Sequence, residues 1–183
     1  MEPVPDFAIS SQRVVTPEGE NPAAILIKGE KILDVVSLQN IPEGCLTEDM
    51  GNDVVMPGLV DAHVHINEPG RTDWEGFETA TKAAAAGGIT TLVDMPLNCI
   101  PVTTTVNALQ EKTVSTREKL WIDCGFYGGL IPDNLKDIEP LAEAGVLGFK
   151  AFMSHSGIDE FPKVAESHLR KALSILANRA IPV

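Results

Sequence analysis

Two histidines one residue apart are the residues in this sequence whose type and spacing best suit chemistry. His63 and His65 close an apolar run that begins at Val54. If this run is a β-strand, side chains two positions apart point to the same face, so both imidazoles would lie beside Asp61. Paired imidazoles are typical ligands of a divalent metal ion. The pattern predicts part of a metal site, with a structural, hydrogen-bonded histidine pair as the alternative.

Lys150 is the second candidate and lies in the apolar segment 145–153. Strand alternation places Gly148 and Phe152 on its face and Phe149 on the opposite, apolar face. Burial of an ammonium group is costly and lowers its pKa. A neutral amine can add carbon dioxide to form a carbamate, whose two oxygens can bridge two cations. The alternative, which the residues alone favour, is a lysine whose charged end reaches solvent at the end of the strand.

Three further polar residues follow predicted strands. Asp94 and Asn98 could contact a substrate, although a turn is the default interpretation for such residues. His155 comes five residues after Lys150 in a glycine- and serine-containing loop, where it could donate a hydrogen bond to a developing oxyanion. The sequence contains no glycine-rich phosphate loop of the P-loop type.

The elements that would position these residues alternate along the chain. Apolar runs begin near residues 55, 89, 120, 146 and 181, with a spacing of about 30 residues that is typical of a βα unit. Helices are predicted between them, over residues 77–86, 103–118, 136–144 and 164–180. A capping box from Thr72 and Glu75 would begin the first helix, and Gly87 would end it. This alternation predicts a parallel sheet.

The number of units indicates the fold class. Residues 1–57 read as short β-segments with a hairpin turn at Gly29, and four complete βα units follow. Residues 181–183 would begin a fifth strand. Because a closed (βα)8 barrel needs about 250 residues, the sequence predicts an α/β protein with an incomplete TIM-type barrel.

Composition excludes some classes of partner and compartment. The 183 residues are 44% hydrophobic and 22% charged, with a formal net charge of −12. This acidity argues against nucleic acid or an anionic membrane as a partner. The three cysteines are widely spaced without a CxxC motif, and no signal peptide or transmembrane segment is evident. We expect a cytoplasmic protein, with an organellar location left open.

Longer motifs resemble those of the cyclic amidohydrolases, the superfamily of dihydroorotases and hydantoinases. Segment 56–65 is similar to the first-strand motif of that superfamily. Segments 67–77, 84–98 and 145–150 resemble the allantoinase branch in particular. The similarity extends from about residue 7 to the end of the chain.

The resemblance implies an architecture and a cofactor. Residues 1–57 would be the amino-terminal part of a composite β-sandwich, and 58–183 the first half of a metal-dependent hydrolase barrel. Two divalent ions, usually zinc, would be bound, one of them by His63 and His65. A carboxylated Lys150 would bridge both ions and take part in catalysis. The ions would activate water for attack on a ring amide, opening allantoin to allantoate in an enzyme that is a homotetramer at full length.

Asn67 bears on the choice of substrate within this superfamily. Dihydroorotases typically carry an arginine at this position, where it pairs with the substrate carboxylate. A neutral amide suits a cyclic ureide without a carboxylate, and Asn98 and His155 are the other candidate substrate contacts. Hydantoinase-like or dihydropyrimidinase-like specificity is the alternative.

The sequence departs from the family pattern at its end. The family uses two further histidines and an aspartate from later strands, and the sequence stops at Val183, before the first of them would occur. We expect an amino-terminal part of such a hydrolase, with little or no activity alone. The alternative is a truncated, non-catalytic interaction protein, because an incomplete sheet leaves an unpaired edge.

Overall fold

The chain divides into two compact units between Pro57 and Gly58. Residues 4–183 are described by a computed structural model. Within that range, no helix is both long enough and apolar enough to cross a membrane. Each unit is built around its own sheet.

The first unit is a five-stranded β-sheet with β1 at its centre. Its strands are β1 (Phe7–Thr16), β2 (Gly19–Lys28), β3 (Lys31–Val36), β4 (Leu46–Asp49) and β5 (Val54–Val55). β1 pairs antiparallel with β2 and parallel with β4 and β5. The predicted hairpin is confirmed: β2 and β3 pair antiparallel, and Gly29 at the turn has a left-handed φ of 57°. That this sheet forms part of a composite sandwich stays a prediction.

The second unit is a four-stranded parallel sheet with a helix after each strand. Its strands are β6 (Leu59–Val64), β7 (Ile89–Asp94), β8 (Asp123–Gly129) and β9 (Gly148–Lys150). Its helices are α1 (Phe77–Ala86), α2 (Val106–Ser115), α3 (Ile138–Glu143) and α4 (Glu166–Leu176). The strands are ordered as in the sequence, and every neighbouring pair is parallel. The predicted half-barrel sheet is therefore confirmed.

The beginning of α1 differs from the prediction. Thr72 and Glu75 do not form its cap, because Gly76 occupies the N-cap position. The free N–H of Phe77 instead donates to the carboxylate of Glu68, at 2.9 Å. A carboxylate at a helix N-terminus is favourable because the exposed N–H groups carry partial positive charge. The predicted end of the helix after residue 86 is confirmed.

Three strand predictions are wrong in position. The first strand of the second unit begins at Leu59 and not near residue 55, because Val54–Val55 pairs with β1 in the first unit. The third strand of the second unit begins at Asp123, three residues later than the apolar run at Leu120 suggested. Residues 181–183 form no strand. The N–H of Phe149 does donate to the carbonyl of Pro182 at 2.9 Å. A proline has no N–H with which to continue a ladder of such bonds.

A hydrophobic core between the sheet and α2, α3 and α4 determines which way β9 faces. Phe149 is buried in this core beside Leu141 and Val146. A Cβ on Gly128 of β8 would lie only 2.8 Å from the Phe149 ring, so glycine is needed there for this close approach. Because strand side chains alternate, burial of Phe149 toward the helices turns Lys150 to the opposite face of the sheet.

Candidate metal centre

Three nitrogen-bearing side chains meet at the carboxyl ends of β6 and β9. His63 lies in β6, His65 follows that strand directly, and Lys150 is the last residue of β9. The Nζ atom of Lys150 lies 3.1 Å from Nε2 of His63 and 3.4 Å from Nε2 of His65. The two imidazole centroids are 5.4 Å apart. β6 and β9 are the outer strands of the sheet, so this contact requires the curvature typical of a barrel wall.

The end of β6 has an irregular backbone that aims its histidines. Its pairing with β7 shifts register between Asp61 and Val64. A shift of this kind bends a strand and redirects its side chains. The carboxylate of Asp61 accepts the N–H of His63 at 3.1 Å. Asp61 therefore stabilises the backbone conformation of the strand that carries His63.

Burial changes the pKa values of two members of the cluster. It lowers the pKa of Lys150, and no opposite charge within residues 4–183 offsets this effect. Burial also lowers the pKa of His65, as do the positive charges of Lys150 and His63. A lowered pKa favours the neutral amine and the neutral imidazole, the forms with a lone pair free to bind a metal or to react.

The donor set fits a metal ion only if Lys150 changes its chemistry. Within residues 4–183, no three His, Cys, Asp or Glu side chains converge as a ligand set. Two imidazoles are fewer ligands than a zinc site uses, and an ammonium group offers no lone pair. A carbamate on Lys150 would supply two anionic oxygens beside the histidines. The chemistry of the residues present is therefore consistent with a metal centre that includes a carboxylated lysine.

The orientation of the His65 ring agrees with this assignment, because its Nε2 atom faces Lys150. Its Nδ1 atom is buried and makes no hydrogen bond in the described part of the chain. The backbone of Leu97 is nevertheless close enough to favour the protonated ring. Metal-binding histidines typically direct the far nitrogen at such a backbone group, which leaves Nε2 facing the cluster.

A small pocket opens beside the cluster. It has a volume of about 250 Å³, and its wall includes His63, Lys150, Met95 and Tyr127. This volume lies near the lower limit of about 300 Å³ for small-molecule sites. The pocket thus gives a small ligand access to His63 and Lys150, two of the three clustered side chains.

The predicted substrate residues lie in three different environments. Asn67 is buried, and its Oδ1 has no hydrogen-bond partner among the described residues. Asn98 is half-buried with a positive φ of 74°, and its carbonyl accepts a hydrogen bond from Arg71 at 3.0 Å. His155 is exposed, and its Nδ1 accepts the N–H of Gly157 in its own loop. The structure therefore groups only His63, His65 and Lys150 by direct contact.

Sequence reasoning missed the partner of Asp94. Asp94 is fully buried, and its Oδ2 lies 2.5 Å from Nζ of Lys112, which is also fully buried. Lys112 was not singled out because a helical lysine ordinarily reaches solvent. The available signal was its spacing: it lies three and four residues after Leu109 and Ala108, the other buried positions of α2.

Comparison with known proteins places the chain in a family. A family model described as the amidohydrolase family matches residues 54–177. The allantoinase of Streptomyces avermitilis is 54% identical over 173 residues, which cover 94% of this chain and 39% of that protein. The allantoinase of Saccharomyces cerevisiae is 45% identical over 95% of this chain and 40% of that protein.

Solved structures agree with this result. The L-hydantoinase (dihydropyrimidinase) from Arthrobacter aurescens superposes with a TM-score of 0.85 at 35% identity, over 94% of this chain and 38% of that one. This chain thus spans about two fifths of the length of the relatives it matches. The matched region contains the parallel half-barrel and the cluster of His63, His65 and Lys150, and the chain belongs to the amidohydrolase family.

Proposed function

We propose that the full-length protein to which this chain belongs is a metal-dependent cyclic amidohydrolase that opens the hydantoin ring of allantoin to give allantoate. The observation that carries the proposal is the contact of Lys150 with both histidines of the His-x-His pair. The substrate is suggested by similar proteins named allantoinase in a bacterium and a yeast. By analogy with its family, we expect the full-length protein to be a homotetramer.

His63 and His65 would bind one divalent ion through their Nε2 atoms. Both Nε2 atoms face Lys150, and the lowered pKa of His65 keeps its lone pair available at neutral pH. His63 is exposed and His65 is half-buried. The pair therefore presents one ligand to the pocket and holds the other in the protein interior.

Lys150 would be carboxylated and would bridge two ions, which we take to be zinc. Its neutral amine adds to the carbon of carbon dioxide: an N–C bond forms, one C=O bond becomes C–O⁻, and the nitrogen releases a proton to solvent. Burial promotes this step because it lowers the pKa of the amine. The product replaces a positive charge between two imidazoles with an anion that neighbouring cations stabilise.

Two divalent ions bound here would polarise the ring carbonyl and lower the pKa of water enough for hydrolysis near neutral pH. The protein's own residues would orient the ring. Asn98 and His155 are more accessible than Asn67, and we expect them to contact the substrate. Asn67 would act through the loop that it holds, where its carbonyl accepts the N–H of Arg71.

A hydantoinase or dihydropyrimidinase activity is the second candidate. It is favoured by the structural similarity to the L-hydantoinase of Arthrobacter aurescens. The identity of 35% in that comparison is lower than the 54% and 45% shared with the two allantoinases. We therefore rank allantoin above simple hydantoins and dihydropyrimidines as the substrate.

A panel of cyclic amides tests the proposal. The full-length protein, purified with zinc and bicarbonate, would be assayed with allantoin, hydantoin and dihydrouracil. We expect kcat/KM for allantoin to exceed the other two values by at least about tenfold, a difference of about 1.4 kcal/mol in transition-state stabilisation. A preference for hydantoin or dihydrouracil would support the second candidate. Absence of hydrolysis of all three by zinc-loaded protein would overturn both.

A further inference from the structure

A buried ion pair lies behind the proposed metal centre and takes no direct part in it. Lys112 of α2 and Asp94 of β7 both have fully buried side chains. Nζ of Lys112 lies 2.5 Å from Oδ2 of Asp94 and donates to the carbonyl of Met95 at 3.0 Å. An apolar pair of similar volume is often at least as stable as a buried ion pair. Stability alone therefore does not explain why two charges occupy this position.

The second oxygen of Asp94 reaches the segment that carries His65. Oδ1 accepts the N–H of Ile66 at 2.6 Å, and Ile66 directly follows the histidine. On the other side of His65, the carbonyl of Val64 accepts the N–H of Met95 at 2.8 Å. The peptide groups before and after His65 are thus both tied to the end of β7.

These two bonds replace the regular strand ladder at this point. The pairing of β6 with β7 is irregular after Asp61, and the strand ends at Val64. Ile66 is fully buried against Phe77 and Leu92, so water could not replace an acceptor lost from its N–H. The carboxylate of Asp94 is the group that satisfies this N–H and fixes the orientation of the peptide.

Lys112 favours the charged form of the Asp94 carboxylate and fixes the orientation of its two oxygens. Burial raises the pKa of Asp94 to about 6, and the charge of Lys112 and the amides of Ile66 and Met95 limit that rise. With Oδ2 held by Lys112, Oδ1 is directed at Ile66. The chain of contacts therefore runs from α2 through Asp94 to the backbone beside His65.

We propose that Asp94 is a positioning residue that fixes the imidazole of His65 for metal binding through the backbone of Ile66, and that Lys112 stabilises the buried charge of Asp94. Neither side chain would touch the metal or the substrate. The inference rests on the metal centre of the proposed function. It does not depend on which cyclic amide is hydrolysed.

Two double variants separate positioning from charge and from stability. Asp94→Asn with Lys112→Met removes both charges but keeps an oxygen that can accept the Ile66 N–H. Asp94→Leu with Lys112→Met also removes both charges and packs with apolar groups, but leaves that N–H without an acceptor. The affinity of the full-length protein for Zn(II) would be measured by competition with a chelating dye, beside the denaturation midpoint of each variant.

We expect the D94N/K112M variant to retain zinc affinity within about threefold of the wild type. The zinc affinity of the D94L/K112M variant should be about 10- to 100-fold lower, the range typical for residues that support metal ligands. Its Co(II) derivative should also show an altered visible absorption spectrum. Equal zinc affinities of the two double variants would overturn this inference alone. Wild-type protein that binds no zinc would overturn the metal centre and this inference together.

The hydrogen-exchange rate of the Ile66 amide tests the role of Asp94 in the wild-type protein. If Asp94 holds the Ile66 amide as described, that amide should exchange among the slowest in the loop after β6. Fast exchange of the Ile66 amide in the folded wild-type protein would contradict the proposed role of Asp94, even if a double variant failed to fold.

Discussion

Lys112 and Lys150 are two inward-turned lysines of the same half-barrel, but their surroundings are opposite. Lys112 is fully buried and contacts a carboxylate at 2.5 Å. Lys150 is half-buried, and its nearest polar partners are two imidazoles at 3.1 and 3.4 Å. Burial lowers the pKa of Lys150, whereas the anion beside Lys112 offsets the cost of its burial.

The difference shows how one residue type can serve structure in one place and chemistry in another. A lysine with an anionic partner forms a buried ion pair. A lysine without one, held among imidazoles, is easier to deprotonate and can react with carbon dioxide to generate its own anion. The partner, more than the depth of burial, separates the two roles.

Removal of Lys150 should have the largest effect. Lys150→Ala in the full-length protein should lower hydrolytic turnover by at least about 1,000-fold, because ions held by the carbamate are worth several kcal/mol in the transition state. Zinc content, measured by atomic emission, should fall with it. The matched control is Lys171→Ala, which removes an exposed lysine of α4. Unchanged zinc content in Lys150→Ala would contradict the assignment of this residue.

Removal of Lys112 should instead appear as lost stability. Lys112→Met leaves Asp94 buried without its partner, which typically costs about 3–5 kcal/mol. Urea denaturation would measure this loss, with Lys171→Met expected to change the free energy of unfolding by less than about 0.5 kcal/mol. If the two variants are equally stable, the buried pair is not the strong local interaction described here.

The pH dependence of stability should reveal the carboxyl group of the buried pair. Its pKa is raised from 3.8 to about 6 in the folded protein. Between about pH 4 and 6 the folded state therefore binds more protons at Asp94 than the unfolded state does. The contribution of Asp94 to the free energy of unfolding should fall as the pH rises through this range. In denaturation at several pH values, the slope of the wild type minus that of Asp94→Asn should be negative across this range, because the other titrating groups are common to both proteins.

Substitution of a third basic residue, Arg71, should have the smallest effect. Arg71 is partly exposed, donates to the carbonyl of Asn98 and pairs with the exposed Glu160 at 3.0 Å. It also lies 5.1 Å from the ring centroid of Trp74. Arg71→Lys should cost less than about 1.5 kcal/mol in stability, because exposed ion pairs contribute little. KM should rise by a few-fold if Arg71 holds the loop of Asn98, and an unchanged KM would argue against that role.

The residues of the candidate centre could be predicted because local periodicity determines where they point. Alternation along one strand pairs His63 with His65, and alternation along another turns Lys150 away from the buried Phe149. The four βα units followed from spacing alone. The meeting of His63, His65 and Lys150 at one point depends on sheet curvature, which the resemblance to a known family implies and local periodicity does not.

Long-range partners explain what the sequence did not reveal. The first free N–H of α1 donates to the carboxylate of Glu68, which lies nine residues earlier in the sequence. Asp94 and Lys112 lie 18 residues apart on different elements, and nothing local distinguishes this lysine from a solvated one. Both cases depend on which polar groups the folded chain encloses together, and propensity rules for single segments do not contain that information.

Labelling with carbon-13 tests the contrast between the two lysines most directly. Metal-loaded full-length protein, equilibrated with ¹³C-bicarbonate, should show one labelled carbamate carbon per chain by NMR. The signal should be absent from Lys150→Ala and retained when Asp94→Asn is combined with Lys112→Met. A metal-loaded wild type without a carbamate signal, or a signal that survives Lys150→Ala, would contradict the account.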